Sequence, residues 1–257
     1  MMPSAAIAHM VTAKKADILK LLACRGCPIC SGCHDELERY WFWFFNESYG
    51  EASVAAQYIA SYGFCPEHTR AIARRGAVWP ISVIYDWTLR NTLPALRQAR
   101  QALGEGERSE GIRFRALKRQ LAAVQPKGRC IICQMVDETA TRLVDDLLLV
   151  LTHDAETQHR FRAGDGLCMP HFFLTLQCAQ PDRLAGLRLV FDVQLAQLET
   201  LYAELEEYFR KSDYRFANEP RGTEQTAWLR AIQRFVGGTT MLAHGQEEMR
   251  DSSNSDS

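Results

Sequence analysis

No run of apolar residues in this 257-residue chain approaches the ~18 needed to cross a bilayer, so no membrane span is expected. Neither sign of charge is in excess: 30 Lys and Arg face 31 Asp and Glu, for a net charge of -1. That balance excludes a strongly basic chain that coats nucleic acid without sequence preference, and no nucleic-acid partner is expected. With 47 % hydrophobic and 10 % aromatic residues, the chain is not an acidic disordered polymer either. The first residues do not read as a secretion signal. The weakly apolar stretch over residues 5–13 has no basic residue before it, and Lys14 and Lys15 follow it, so the expected location is the cytoplasm. No GxGxxG, P-loop, HExxH or GxSxG motif occurs, and few stretches alternate as a strand would.

Cysteine, by contrast, is abundant. Structural disulfides are rare in a reducing compartment and the count of nine cysteines is odd, so metal ligation or redox chemistry is the first reading. Their spacing shows an internal repeat. Gly26-Cys27-Pro28-Ile29-Cys30 is followed by Gly63-Phe64-Cys65-Pro66-Glu67-His68. Cys130-Ile131-Ile132-Cys133 is followed by Gly166-Leu167-Cys168-Met169-Pro170-His171, and all four Cys and His positions recur at an offset of 103. Three Cys and one His match at one fixed offset with a chance of about one in a million, or roughly a few in ten thousand once every offset is tried. The repeat implies an N-terminal helix over 1–23, helical metal-binding repeats over 24–125 and 126–237, and a disordered polar tail over 238–257.

Hydrophobic periodicity predicts an all-α fold of two tandem duplicated units of about 100 residues. Helices are expected over 13–23, 28–46, 51–60, from 66, over 80–103 with a kink or break at Pro94, and over 112–124. The second unit repeats the order over 131–151, 155–162, 169–177 and 184–210. A last helix over 223–235 places Trp228, Ile232 and Phe235 on one face. Trp41, Phe42, Trp43, Phe44 and Phe45 point in every direction round a helix. They predict core between the two units or, alternatively, a surface for a protein partner or a second copy.

Each ligand pair falls on the first turn of an expected helix, where i and i+3 face one side and free N–H groups favour a thiolate. Helix Pro28 onward runs out about 28 Å, the next returns about 15 Å, and a short loop closes most of the gap. Chain proximity therefore predicts two Cys3His sites: Cys27, Cys30, Cys65 and His68, then Cys130, Cys133, Cys168 and His171. Zn²⁺, two per chain, suits such a closed tetrahedral set of thiolates and imidazole. An iron–sulfur cluster is the alternative, because Cys24, Cys27, Cys30 and Cys33 form a C-x2-C-x2-C-x2-C run. Lys127 and Val136 at the matching positions of the second unit weaken it, as does the lack of a closing Cys-Pro. Reduced, partly buried thiols without metal are a third reading.

Cys24 and Cys33 read as ordinary small side chains or as redox-sensing thiols, and Cys178 as a core residue or a spare ligand. His34 reads as an exposed helix histidine. Glu36, Glu38, Asp137 and Glu138, like Arg70, Arg74 and Arg75, read as solvated helix faces. No catalytic residue is evident. The function expected is that of a metal-stabilised helical interaction or regulatory module; the alternative is an iron–sulfur or thiol-based redox or electron-transfer protein. A zinc enzyme would need an open coordination position, against which four protein donors per site argue.

The paired C-P-x-C and G-[FL]-C-x-x-H elements, on a helical chain that ends in a Trp-bearing segment before Gly237, resemble an uncharacterised bacterial and archaeal family of unknown function. The resemblance covers residues 27–237. It implies metal binding by the eight Cys and His residues above and brings no activity with it. The second unit departs from the pattern, with Ile131 in place of Pro and Met169-Pro170 in place of Pro-Glu.

Overall fold

A computed structural model describes residues 4–102, 114–115, 117–119, 121–122, 125–216 and 218–238. Among these residues no strand occurs, and the fold is all-α as expected. The elements are α1 (Ser4–Leu22), α2 (Pro28–Trp43) continued by a π-helical turn (Phe44–Ser48), α3 (Ala52–Ser61), α4 (Pro66–Arg74) and α5 (Val78–Ala102). They continue with α6 (Ile131–His153), α7 (Ala155–Arg162), α8 (Met169–Cys178), α9 (Leu184–Lys211) and α10 (Ala227–Val236). Short 3₁₀ turns occupy Pro181–Arg183, Tyr214–Phe216 and Thr223–Thr226. The stretch expected over 112–124 lies largely outside the described residues, as does all of the 238–257 tail except Gly238.

All four ligand-bearing helices begin where the sequence places them, at Pro28, Pro66, Ile131 and Met169. Of the kink or break expected at Pro94, the break does not occur. α5 runs through it, losing one backbone hydrogen bond, because the Leu, Ala, Arg and Gln residues on either side favour helix.

The chain forms two compact units, residues 37–137 and residues 1–36 with 138–257. These do not coincide with the sequence repeats: the division points fall inside α2 and α6.

In the unit of 1–36 and 138–257, the core is a run of six buried residues on α6, Val144 and Leu147 to Leu151, with Ile18, Ile29, Phe161, Leu167 and Val190. Lys15 of α1 pairs with Asp154 at 2.8 Å and Glu156 at 2.9 Å. Asp154 also caps α7 by accepting the Thr157 amide at 2.8 Å. Glycine at 186 lets α9 approach α6: a Cβ there would lie 2.6 Å from the Leu148 carbonyl oxygen.

In the 37–137 unit, Trp41, Phe44, Val54, Tyr58, Phe64, Ile72, Ile84 and Ile132 form one core. Tyr58 meets Phe64 at 4.6 Å between ring centroids and Phe44 at 5.4 Å, both within the range of favourable aromatic pairs. The Tyr40 and Tyr58 hydroxyls hydrogen-bond each other. The aromatic run thus divides: Trp41 and Phe44 are fully enclosed within this unit, while Phe42 is 72 % exposed.

Candidate metal centres

Each ligand pair is presented by a helix start. Cys65 and Cys168 are N-caps in extended conformation (φ -65°, ψ 165° and φ -69°, ψ 157°), each followed by a Pro in the first two helical positions. His68 and His171 stand three positions on, one turn along the same face. Cys27 and Cys130 immediately precede α2 and α6, with Cys30 and Cys133 on their first turns.

These pairs gather into two Cys3His groups, in each of which all donor atoms lie within 4.8 Å of one another. The first group is Cys27, Cys30, Cys168 and His171, all in the 1–36/138–257 unit. His171 Nδ1 lies 3.1 Å from Cys168 Sγ, 3.3 Å from Cys30 Sγ and 3.5 Å from Cys27 Sγ, and the Cys30 and Cys168 sulfurs are 3.6 Å apart. The second group is Cys65, His68, Cys130 and Cys133, all in the 37–137 unit. His68 Nδ1 lies 3.1 Å from Cys65 Sγ, 3.5 Å from Cys133 Sγ and 3.6 Å from Cys130 Sγ, and the Cys65 and Cys133 sulfurs are 3.7 Å apart.

The eight residues are those expected, but the partnership is exchanged, which corrects the local pairing. Cys27 and Cys30 meet Cys168 and His171, not Cys65 and His68; Cys130 and Cys133 meet Cys65 and His68, not Cys168 and His171. The cause lies in path lengths. α2 and its π turn span about 30 Å of helix and α3 only about 15 Å, so α3 is too short to retrace α2. The loop then coils instead of extending. Tyr62 (φ 58°) and Gly63 (φ 87°) are both left-handed, and the Gly63 amide donates back to the Tyr58 carbonyl at 2.7 Å. After α6 the imbalance is larger, because α7 has only 8 residues against 23.

The two groups differ in surroundings. Cys130 belongs to the aromatic core of its unit, so the second group is built onto that core. The first group has a polar cover. The Gly238 amide donates to Cys30 Sγ at 3.3 Å, and Gly237 (φ 75°, ψ -178°) passes so close that a Cβ would lie 3.1 Å from Cys168 Sγ. Arg234 donates to the Leu167 carbonyl at 2.9 Å, next to Cys168. Burial draws its guanidinium down, while Asp165, Cys27 and Cys168 favour its charge.

Crowding thiols and imidazole together separates their proton affinities. Burial pushes the Cys27 thiol up, but hydrogen bonds with Cys168 and Cys30 and the His171 ring bring it well below the ordinary thiol value. Cys168 is held up, chiefly by hydrogen bonds with Cys27 and Cys30. Burial lowers His171, yet hydrogen bonds with Cys27, Cys30 and Cys33 push it up to about 12. In the second group burial and Cys65 push Cys133 up to about 12. Each group concentrates soft donors, a set that suits a metal ion with thiolate preference.

Cys33 belongs to neither group but lies beside the first. It is buried and hydrogen-bonds with His171, a relation that follows from its being one turn beyond Cys30 on α2. Cys24, Cys178 and His34 belong to neither group. Glu38 pairs with Arg75, Glu36 approaches Arg142 at 4.0 Å, and Asp137 pairs with Arg129 at 2.7 Å. No helix among the described residues is long and apolar enough to cross a membrane.

Fold and site together define a helical protein with two Cys3His groups capable of holding metal ions, each assembled from two helix starts. The chain belongs to the family of unknown function DUF6062, which it matches over residues 18–241. No curated protein and no solved structure matches it.

Proposed function

We propose that the protein binds two zinc ions, one through Cys27, Cys30, Cys168 and His171 and one through Cys65, His68, Cys130 and Cys133, and works as a metal-stabilised interaction or regulatory module. The supporting observation is the spacing of the donors. A tetrahedral Zn²⁺ with Zn–S near 2.3 Å and Zn–N near 2.0–2.1 Å requires donor separations of about 3.8 Å between sulfurs and about 3.6 Å from sulfur to nitrogen. Cys30 to Cys168 and Cys65 to Cys133 are 3.6 and 3.7 Å apart, the sulfur-to-nitrogen distances are 3.1 to 3.6 Å, and no donor pair in either group exceeds 4.8 Å. Donors grouped this tightly suit one ion better than a cluster, in which cysteines ligate different irons.

Four protein donors leave no open position on the ion, which favours a structural over a catalytic role. Zinc held in this way contributes an apparent ~10–16 kcal/mol in small peptides. A domain's net stability is only about 5–15 kcal/mol, so the ions would govern whether each unit folds. Reduced thiols in this number suit the cytoplasm. Exposed aromatic residues such as Phe42, Trp79 and Phe209 supply surface for a protein partner.

Elemental analysis of the purified full-length chain tests the reading. Two zinc ions per chain are expected, falling by one in Cys65→Ser and by one in Cys168→Ser. A brown protein absorbing near about 400 nm, or metal content unchanged in both variants, overturns it.

A further inference from the structure

Beside the first Cys3His group lies a cavity of about 820 Å³. Its wall includes Cys27, Cys30 and Cys168, and α9 and α10 supply much of the remainder. The volume falls within the ~300–1,000 Å³ typical of small-molecule sites. Every lining residue belongs to the 1–36/138–257 unit.

Charge is unevenly spread over this wall. It carries three guanidinium groups, Arg25, Arg230 and Arg234, against one carboxylate, Asp165. Asp165 is already engaged, accepting the Gly26 amide at 2.7 Å. Arg230 is held by Glu204 at 2.5 Å. Arg234 forms no close ion pair among the described residues, although Asp165 is near enough to favour its charge. It is half-buried and donates only to two neutral oxygens, the Leu167 carbonyl and Gln197 Oε1 at 3.5 Å. Arg25 has neither an ion pair nor a hydrogen bond among the described residues. A guanidinium has five donors in a planar fork that fits carboxylate and phosphate oxygens two at a time. Asp165 and the sulfurs of Cys27 and Cys168 balance part of the Arg234 charge, while the Arg25 fork on the same wall is unengaged, and together the two forks offer a bidentate seat for an oxyanion. Leu201 and Leu229 on the same wall offer apolar contact to the body that carries it.

We infer that this cavity binds a small organic oxyanion, a carboxylate or a phosphate monoester, held by Arg25 and Arg234 beside the first metal group. The two groups of the protein then have different tasks. The one built on the aromatic core is a staple, while the one facing the cavity shapes a ligand site. The binding rests on the arginines and the cavity, so it is separable from the identity of the metal.

Isothermal titration of the full-length protein with glycerol 3-phosphate and with succinate tests the inference, with metal content measured on the same samples. Saturable one-to-one binding of at least one probe is expected, with Kd below about 1 mM. The two probes distinguish a phosphate from a carboxylate receptor. Arg25→Ala and Arg234→Gln should each weaken binding about tenfold, the loss expected for one charge-assisted fork. Arg25 holds nothing in place, so its variant should keep the parent metal content and decides the matter even if Arg234→Gln disturbs the fold. Failure of both probes to saturate by about 10 mM, or binding that Arg25→Ala leaves within about twofold, overturns it. Loss of metal from the parent protein would instead count against the zinc reading alone.

Discussion

Cys30 and Cys168 bring their sulfurs within 3.6 Å of each other across 138 positions of chain, whereas Cys65, nearer in sequence, serves the other group. The eight donors are therefore nested along the chain. The pairs at 65/68 and 130/133 form an inner set, and those at 27/30 and 168/171 an outer one.

Nesting makes a prediction that single substitutions cannot. In the doubly substituted Cys27→Ser/Cys168→Ser protein both changes fall in one group, so one zinc per chain should remain. In Cys27→Ser/Cys65→Ser they fall in different groups, and both ions should be lost. Mass spectrometry under native conditions counts the ions; the reverse pattern would restore pairing by sequence proximity.

Withdrawing the metal should cost stability in proportion to its share of the fold. Even a loss of about 5 kcal/mol, the low end of a domain's net stability, should lower the midpoint of thermal unfolding by about 10–20 °C at ~2–4 °C per kcal/mol for a chain of this size. Differential scanning with and without a strong chelator measures it, and an unchanged midpoint would show that the groups do not stabilise the fold.

Gly237 has a conformation that side-chain-bearing residues avoid, and a Cβ there would press on Cys168 Sγ. Gly237→Ala should therefore cost about 1–3 kcal/mol and release one of the two ions faster to a colorimetric chelator. The second ion, held in the other unit, should leave at the parent rate.

The aromatic run offers an internal control. Phe44→Ala empties a fully enclosed position and should destabilise by about 3–5 kcal/mol, whereas Phe42→Ala, at a site 72 % exposed, should stay within about 0.5 kcal/mol. Urea unfolding compares the two. Equal costs would mean that Phe42 is covered in solution.

On α9, Arg210, with Lys211, holds the Glu207 carboxyl down to about 2. Because the folded value lies below the unfolded one, its contribution is present above the ordinary 4.5 and fades as the pH falls towards about 2. Carboxyl NMR should place the midpoint near that value, and Arg210→Ala should return it towards the ordinary range.

The sequence made some of this legible, for physical reasons. Proline after cysteine marks a helix start locally, so the beginnings of α2 and α4 and the residues presented there could be read directly. Which starts meet could not, because a repeat at constant offset shows equivalence of positions and says nothing of adjacency. Nor does the sequence announce the coil at Tyr62 and Gly63, where the chain before Cys65 turns through a left-handed tyrosine, unusual for a residue with a Cβ. Pro94 does not end α5, because its local penalty is outweighed by the helix formers around it. Arg234 and Gly238 carry no motif, and only the folding of α10 back towards Cys30 gives them a role.

The exchange also sets a timetable for synthesis. Translation delivers Cys133 thirty-five residues before Cys168, so the inner quartet is complete while the outer one still lacks half its donors. If the groups load metal as proposed, the inner quartet can take its ion first, while Cys27 and Cys30 wait until His171 has left the ribosome.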